Sequence, residues 1–184
     1  IKTKSRLNNE QLRLEKDLSR FESRKEALNE SRGSYALRIL LEAGLEGIHG
    51  YVAQLGEVSE KNRYALEIAA GNRLGQIVVD NDHIAAKAID ILKKKKAGRL
   101  TFLPLNRIKS QKKNYAISRF ENNRENGFID KAINLITFDE VYSDVFRYVF
   151  GDTLVFSDLS SARLSKQKNR LVTLSGELLE ASGA

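Results

Sequence analysis

The feature that most restricts the fold of this 184-residue chain is an internal repeat. The stretch GNRLGQIVVDNDHIAAKAI followed by GRLTFL parallels the stretch GDTLVFSDLSSARL followed by NRLVTL. Each runs from a glycine through an apolar strand, an acidic helix cap, a helix and a basic residue to a second strand. Repetition of a supersecondary unit indicates related structural halves. The sequence therefore predicts an α/β (α+β) fold made of two pseudo-repeated small α/β subdomains.

Caps and stop residues place the elements of the first half. SYALRILLEAG predicts a short helix closed by Gly44, and Ser59 predicts the N-cap of a helix over residues 60–70 that Gly71 ends. IHGYVAQL and QIVVD predict strands. Asp82 is predicted to cap a helix that Gly98 ends and whose apolar face comprises Ile84, Ala88, Ile89 and Leu92.

The second half repeats this alternation. RLTFLPL predicts a strand that Pro104 ends. Residues 109–130 are polar and rich in asparagine, which predicts a connector between the halves. The segments INLITF, TLVFSD and RLVTL predict strands, a helix is predicted around residues 142–150 and another over 158–163, and ELLE is predicted to follow a turn at Ser175-Gly176.

Residues 1–32 have a different pattern, typical of a coiled coil. Charges of both signs surround an apolar stripe with a seven-residue period, which comprises Leu7, Leu14, Phe21 and Leu28. The alternative is an amphipathic helix that lies on the globular part. We therefore divide the chain into a coiled-coil arm (1–32), subdomain I (33–108), the connector (109–130) and subdomain II (131–184).

The net charge of +7 comes from one segment. Residues 91–120 hold ten Lys or Arg and no Asp or Glu, so the rest of the chain, with 21 basic and 24 acidic residues, has a balance of −3. Such a segment is typical of contact with a phosphate backbone. Stabilisation of a helix C-terminus explains one or two of the lysines, and a solvated surface is a further alternative. The candidate DNA-binding residues are Lys93, Lys94, Lys95, Lys96, Arg99, Arg107, Lys109, Lys112 and Lys113.

The sequence offers no pattern for catalysis. It has no cysteine and no Gly-x-x-x-x-Gly-Lys-Ser/Thr phosphate loop, and GNRLG lacks both the lysine and the spacing of such a loop. His49 and His83 have no second ligand at metal spacing, which favours ordinary surface or core roles. We predict no catalytic residue, no metal site and no cofactor in this chain. No apolar run approaches membrane-spanning length, and no signal peptide opens the chain.

A longer stretch carries a family resemblance. GYVAQLGEVSEKNRYALEIAAGNRLGQIVVDNDHIAAKAIDILKKKKAGRLTFLPLN resembles the first half of the hinge domain of SMC (structural maintenance of chromosomes) proteins, and VFGDTLVFSDLSSARL with LVTLSGELLEASGA resembles the second half. The resemblance covers about residues 33–184, and the bacterial type fits best. The heptad helix then resembles the end of an SMC coiled-coil arm, and we expect this chain to be a piece of a longer protein.

The resemblance implies a function. SMC proteins are ATPases of chromosome condensation and segregation, and their hinges pair to join two coiled-coil arms and bind DNA without marked sequence preference. It implies a second hinge as partner, in a homodimer, and DNA as a further partner. ATP, Mg²⁺ and kleisin-type subunits are implied only for head domains outside this chain, in a cytoplasmic protein associated with the chromosome and not with a membrane.

The resemblance also implies dimer-interface residues. In the family, glycines in a Gly-x6-Gly-x3-Gly-Gly pattern lie at the dimer interface. Gly176 and Gly183 match the first two, Ser182 lies beside the second, and the chain ends before the final pair. The alternative is that both glycines only form turns.

Two other functions stay open at this point. One is an enzyme domain that uses GNRLG and the lysines to hold a phosphorylated substrate. The other is a purely structural joint whose lysines only face solvent and do not bind DNA.

Overall fold

The structure is a computed structural model. It describes Gln11 and residues 35–108, 127–165 and 168–181. By its contacts the chain divides into a first unit of Ile1–Leu45 with Ala88–Leu100, and a second unit of Glu46–Lys87 with Thr101–Ala184. The predicted coiled-coil arm lies outside the described residues except for Gln11, which is helical. The division into an arm, two subdomains and a connector stays a prediction.

The described strands and helices occur in two consecutive runs with the same order: strand, strand, helix, strand, helix, strand. A 3-10 turn joins the first two strands in each run, and a second 3-10 turn follows the first helix in one run and precedes it in the other. Helix α1, over residues 35–42, precedes the first run. The first run is β1 (Ile48–Tyr51), a 3-10 turn (Val52–Gln54), β2 (Gly56–Val58), α2 (Glu60–Ala70), a 3-10 turn (Gly71–Gly75), β3 (Ile77–Val79), α3 (Asp82–Lys95) and β4 (Phe102–Pro104).

The second run matches the first and adds one strand. It is β5 (Phe128–Lys131), a 3-10 turn (Ala132–Leu135), β6 (Ile136–Phe138), a 3-10 turn (Glu140–Tyr142), α4 (Ser143–Phe150), β7 (Leu154–Phe156), α5 (Leu159–Leu164), β8 (Leu171–Thr173) and β9 (Leu178–Leu179). The predicted α/β fold with two pseudo-repeated halves is confirmed. The repeat is longer than its sequence indicates, because it also includes the strand pair and the helix before β3 and β7.

Three sheets follow from this order. Strands β1, β3 and β4 form one sheet in that order, and β5, β7, β8 and β9 form another. In each sheet the first pair is antiparallel and the next pair is parallel, joined by a helical crossover. Strands β2 and β6, from different runs, pair antiparallel with Val58 opposite Ile136. The two halves are therefore joined by backbone hydrogen bonds.

The halves also share one hydrophobic core in the second unit. Buried side chains of α2 and β3 pack in the same cluster as those of α4, β7 and β8. Phe146 stacks between Phe138 and Phe150, with ring centroids 4.5 and 6.4 Å apart. Burial of this apolar surface is the main force that holds the halves together. Within the described residues, no helix is long and apolar enough to cross a membrane.

Helix α2 stops where the sequence predicts, but side-chain capping at the starts of α2 and α3 differs from the prediction. Helix α2 has the predicted bounds, and Gly71 follows it at a φ of 53°. The Ser59 side chain makes no capping hydrogen bond. Asn81, not Asp82, caps α3, because its Oδ1 accepts the Ile84 N–H at 3.0 Å.

The predicted apolar face of α3 is wrong at one position. Ile89 is exposed, whereas Ala85 is buried with Ala88 and Leu92. The helix also ends earlier than predicted, at Lys95, three residues before Gly98.

Two predicted strands are interrupted. IHGYVAQL forms β1 followed by a 3-10 turn, and INLITF forms a 3-10 turn followed by β6. Strand β5 begins at Phe128, inside the segment predicted as a connector. In the two interrupted strands a short, largely apolar run fits a strand and a 3-10 turn equally well by its pattern, and the pairing partner decides between them.

Candidate functional site

Strand β4 ends its sheet and has no described strand on its outer side. Its inner side pairs with β3, where the Ile77 N–H donates to Thr101 O and the Leu105 N–H to Val79 O, both at 2.9 Å. Since alternate residues of a strand face opposite edges, the N–H and C=O of Phe102 point outward. Phe102 is half-buried. The outer edge of β4 is therefore a short template for another strand.

Strand β8 is the counterpart of β4, but its outer side is covered. The Leu154 N–H donates to Arg170 O at 2.9 Å and the Leu174 N–H to Phe156 O at 3.0 Å, as in β3 and β4. A hairpin then brings β9 back along β8, with Leu171 opposite Leu179. This register turns the backbone of Leu178 to the far side. The edge of the second sheet is thus β9.

The opposite edges of the two sheets are blocked by side chains. On β1 the outward N–H of Tyr51 donates to Gln54 Oε1 at 3.1 Å. At the matching position on β5 the Lys131 N–H donates to Asp130 Oδ1 at 2.7 Å. Both strands also contain a register irregularity. Capped and bulged edges resist pairing, so strand addition to these two sheets is favoured at β4 and β9.

Gly176 lies in the turn between β8 and β9. Its φ is 89°, and a Cβ built there would lie 2.4 Å from Cε1 of Tyr64 on α2. The turn and this ring are sufficient reasons for a glycine. A role for Gly176 in a dimer interface stays a prediction. Ser182 and Gly183, the other two predicted interface residues, lie outside the described residues.

Four adjacent lysines end α3. Lys93, Lys94 and Lys95 occupy its last turn. Lys96 has a φ of 51°, while the Lys96 N–H donates to Lys93 O and the Ala97 N–H to Leu92 O. This is a Schellman motif with lysine where glycine is preferred. The lysines and Arg99 are exposed and form no ion pair with any residue the structure describes.

The other predicted DNA-binding residues differ from these lysines. Arg107 belongs to the second unit, whereas Lys93–Lys96 and Arg99 belong to the first. The Arg107 guanidinium pairs with the Asp82 carboxylate at 2.6 Å. Hydrogen bonds from Asn106 and Arg107 hold the pKa of Asp82 below its ordinary value. The charge of Arg107 is therefore already partly neutralised. Lys109, Lys112 and Lys113 lie outside the described residues.

Arg73, in GNRLG, caps a helix of the other half. Its Nη1 donates to Val149 O at 2.7 Å and Tyr148 O at 3.3 Å, in the last turn of α4, and its guanidinium lies over the Tyr148 ring. Arg170 Nη1 donates in the same manner to Ala69 O in the last turn of α2. Cations near helix C-termini are stabilising. These two capping roles were not predicted, and that of Arg73 argues against a phosphate site in GNRLG.

His49 links the two halves. The Asp80 carboxylate accepts a hydrogen bond from Nε2 at 2.7 Å, and Nδ1 lies 2.9 Å from the Tyr142 hydroxyl. This is a structural role, in line with the prediction for His49. Among the described residues, no group of three or more His, Asp or Glu side chains could hold a metal ion.

The fold and its sheet edges define a class of protein: an α/β module of two matched halves that share a core, with open sheet edges at β4 and β9 and capped edges at β1 and β5. Comparison with known sequences gives the family. The family model described as SMC proteins Flexible Hinge Domain matches residues 45–164. The chain belongs to the SMC hinge-domain family.

Relatives and solved structures agree with this assignment. The Chromosome partition protein Smc of Synechococcus sp. is 48% identical over 99% of this chain, and that of Synechocystis sp. is 47% identical over 99%. This chain spans 15% of the length of each of these relatives.

Two solved structures match over most of the chain. The SMC hinge domain of Pyrococcus furiosus has a TM-score of 0.70 at 38% identity and covers 86% of this chain and 82% of its own. The asymmetric dimer of the Geobacillus stearothermophilus SMC hinge domain has a TM-score of 0.70 at 33% identity and covers 81% of this chain and 61% of its own.

Proposed function

We propose that this hinge forms a homodimer by pairing β4 of one copy with β9 of the other, and so joins two coiled-coil arms. The observation that carries the proposal is the combination of open edges at β4 and β9 with capped edges at β1 and β5. Because each copy has both open edges, a two-fold axis forms the same contact twice and closes the assembly. The Geobacillus stearothermophilus relative is described as a dimer, which supports this proposal.

Each contact joins a three-stranded sheet to a four-stranded one. The backbones of Phe102 and Leu178 supply the outward donors and acceptors, and both side chains are half-buried. Each backbone hydrogen bond contributes about 0.5–1.5 kcal/mol net, so these bonds supply only a small part of the free energy of dimerisation. Burial of apolar surface around Phe102 and Leu178 must supply much of the rest of that free energy.

Solution mass over a concentration series tests the dimer. We expect a species of twice 20.7 kDa. Leu178→Pro removes an outward N–H that makes no bond to β8 and should weaken the dimer, while Leu178→Ala, which keeps the N–H, is the matched control for loss of the leucine side chain. The pairing scheme is wrong if the two variants dimerise equally well while circular dichroism shows both folded. A wild-type chain that stays monomeric at every concentration contradicts the dimer itself.

We propose further that Lys93–Lys96 and Arg99 contact DNA without sequence preference. Four adjacent exposed lysines without described ion-pair partners repel one another, so helix stability is a poor reason for all four. An array of this kind releases counterions when it neutralises phosphates. Lys109, Lys112 and Lys113 stay predicted DNA-binding residues.

Anisotropy with a duplex of arbitrary sequence, measured across salt concentrations, tests this contact. Replacing Lys93–Lys96 by Gln should make the log–log salt slope shallower by about 0.9 for each phosphate that is no longer neutralised. A matched variant with the same net charge carries Gln at Lys61, Lys87, Lys131 and Lys168. If both variants lose affinity equally, the lysines of α3 have no special role. If the wild-type chain does not bind, the purely structural joint is the correct function.

For the parent protein we propose a chromosome partition ATPase that acts on the chromosome in the cytoplasm. Its ATP and Mg²⁺ sites and any kleisin-type partner would belong to head domains outside this chain. Arg73 is engaged with helix carbonyls, which disfavours the alternative of a phosphate-binding enzyme.

A further inference from the structure

Strands β4 and β8 match in register, yet within the described residues only β8 continues into a hairpin. Ile77 is opposite Phe102 as Leu154 is opposite Leu171, so Pro104 takes the position of Thr173. Counting on from this pair, Arg107 takes the position of Gly176 and Ile108 that of Glu177. The reason why only the second half forms the hairpin lies at Pro104 and Arg107, the counterparts of Thr173 and Gly176.

The hairpin after β8 depends on Thr173 and Gly176. The Thr173 N–H donates to Glu177 O at 3.0 Å, and the Thr173 hydroxyl also bonds the Glu177 carboxylate. The Gly176 N–H donates to Thr173 O at 3.0 Å, with Gly176 at a φ of 89°. The closing bond requires an N–H on residue 173, and the turn requires a residue that tolerates positive φ.

Neither requirement is met after β4. Pro104 has no N–H, so the bond that closes the other hairpin cannot form. Its carbonyl accepts from the Arg107 N–H at 3.0 Å and from the Ile108 N–H at 3.1 Å, which gives a helical turn. Arg107 replaces the glycine, and its φ is not positive.

A clamp on α3 holds this turn. Asn106 Oδ1 accepts the Asp82 N–H at 3.1 Å, and Asn106 Nδ2 donates to Asp82 Oδ1 at 2.9 Å. Arg107 Nε donates to Asp82 Oδ2 at 2.9 Å. Residues 105–108, the described residues that follow β4, are therefore fixed against the first turn of α3 and do not turn back along β4.

We infer that Pro104, together with Arg107, which Asp82 holds in place, keeps the outer edge of β4 from being covered by a hairpin of its own chain. These residues thereby determine which strand can pair with β4. The first half then accepts a strand and the second half provides one, β9 of a second copy. This inference rests on the proposed dimer. It makes the proline at the end of the pairing strand β4, and an arginine just beyond that strand, specificity-determining residues for hinge pairing.

The test gives the end of β4 and the turn after it the residue types found at the matching positions of β8. Pro104→Thr restores the N–H, and adding Arg107→Gly restores the turn residue. The expected result for the double variant is a dimer dissociation constant raised by about tenfold or more, because chains with a closed edge cannot pair. Pro104→Thr with Arg107→Ala loses the same ion pair without gaining a glycine. It should dimerise more tightly than the Thr/Gly variant.

A second readout separates this inference from the dimer proposal. Hydrogen exchange of the new residue 104 amide, measured at a concentration where the chain is monomeric, should show protection in the Thr/Gly variant. An unprotected amide, or a dimer as tight as that of the wild type, overturns the inference. A wild-type chain that never dimerises contradicts the proposed function. In that case the exchange rate of the residue 104 amide in the Thr/Gly variant still shows whether Pro104 and Arg107 keep the edge of β4 open. Pro104→Ala with Arg107→Gly introduces the same amide if the threonine variant does not fold.

Discussion

Gly176→Ala should destabilise the folded chain even if no partner binds near it. At a φ of 89°, an L-residue costs about 1–2 kcal/mol more than glycine. The new Cβ would also lie 2.4 Å from Cε1 of Tyr64. Tyr64 is 55% exposed, so its ring can move aside, and we assign this displacement at most about 1 kcal/mol of lost packing. Alanine also lowers the conformational entropy of the unfolded chain, which stabilises the folded state by about 0.4–1 kcal/mol. The middle of these ranges gives a net loss of about 1.3 kcal/mol.

Urea unfolding followed by circular dichroism, at one fixed protein concentration, measures this loss. A double-mutant cycle with Tyr64→Ala separates its parts: the backbone cost should persist in the Tyr64→Ala background, while the ring contact should disappear. If Gly176→Ala leaves the free energy of unfolding within about 0.3 kcal/mol of the wild type, the intrachain reasons for this glycine are insufficient. If it then abolishes dimerisation, the predicted interface role is the better explanation.

Three further predictions concern single side chains. Arg73→Ala should lower the free energy of unfolding by about 1.5–3 kcal/mol, since it removes a charged cap from the carbonyls of α4; an unchanged urea midpoint contradicts this. Lys96→Gly should raise that free energy by about 0.5–1 kcal/mol by relieving a φ of 51°, and a lower midpoint would show that the lysine is not strained. The lowered pKa of Asp82 contributes stability that is present above its unfolded pKa and lost as pH falls through the lower folded pKa. Asp82→Asn should therefore flatten the acid limb of a stability–pH curve.

Much of the fold is predictable because its signals are local. The stop of α2 at Gly71, the buried strands QIVVD and TLVFSD, and the hairpin turn before β9 all depend on residues within a few positions of one another. The errors in the strands have one physical cause. IHGYVAQL and INLITF are short and largely apolar, so their pattern does not show where a 3-10 turn replaces a strand. Periodicity alone assigns Ile89 to the buried face of α3, and it is exposed.

The site was less predictable than the fold. The lysines at the end of α3 are found from charge, which requires no tertiary information. The capping roles of Arg73 and Arg170 could not be found in this way, because each guanidinium bonds carbonyls 75–76 or 101 residues away. The resemblance to SMC hinges is visible in the motifs themselves, and the family match confirms it.

The sequence by itself determined the repeat, the stop of α2 at Gly71 and the basic segment, since these follow from the order and spacing of residue types. Only the tertiary structure decided which sheet edges are open. Hydrogen bonds across a sheet depend on the register between strands that are far apart in the chain. The residue pattern of a strand is the same whether its outer side is covered or free. Pro104 illustrates the difference. In the sequence it only ends a strand, while its alignment in space with Thr173 shows that the same residue prevents a hairpin.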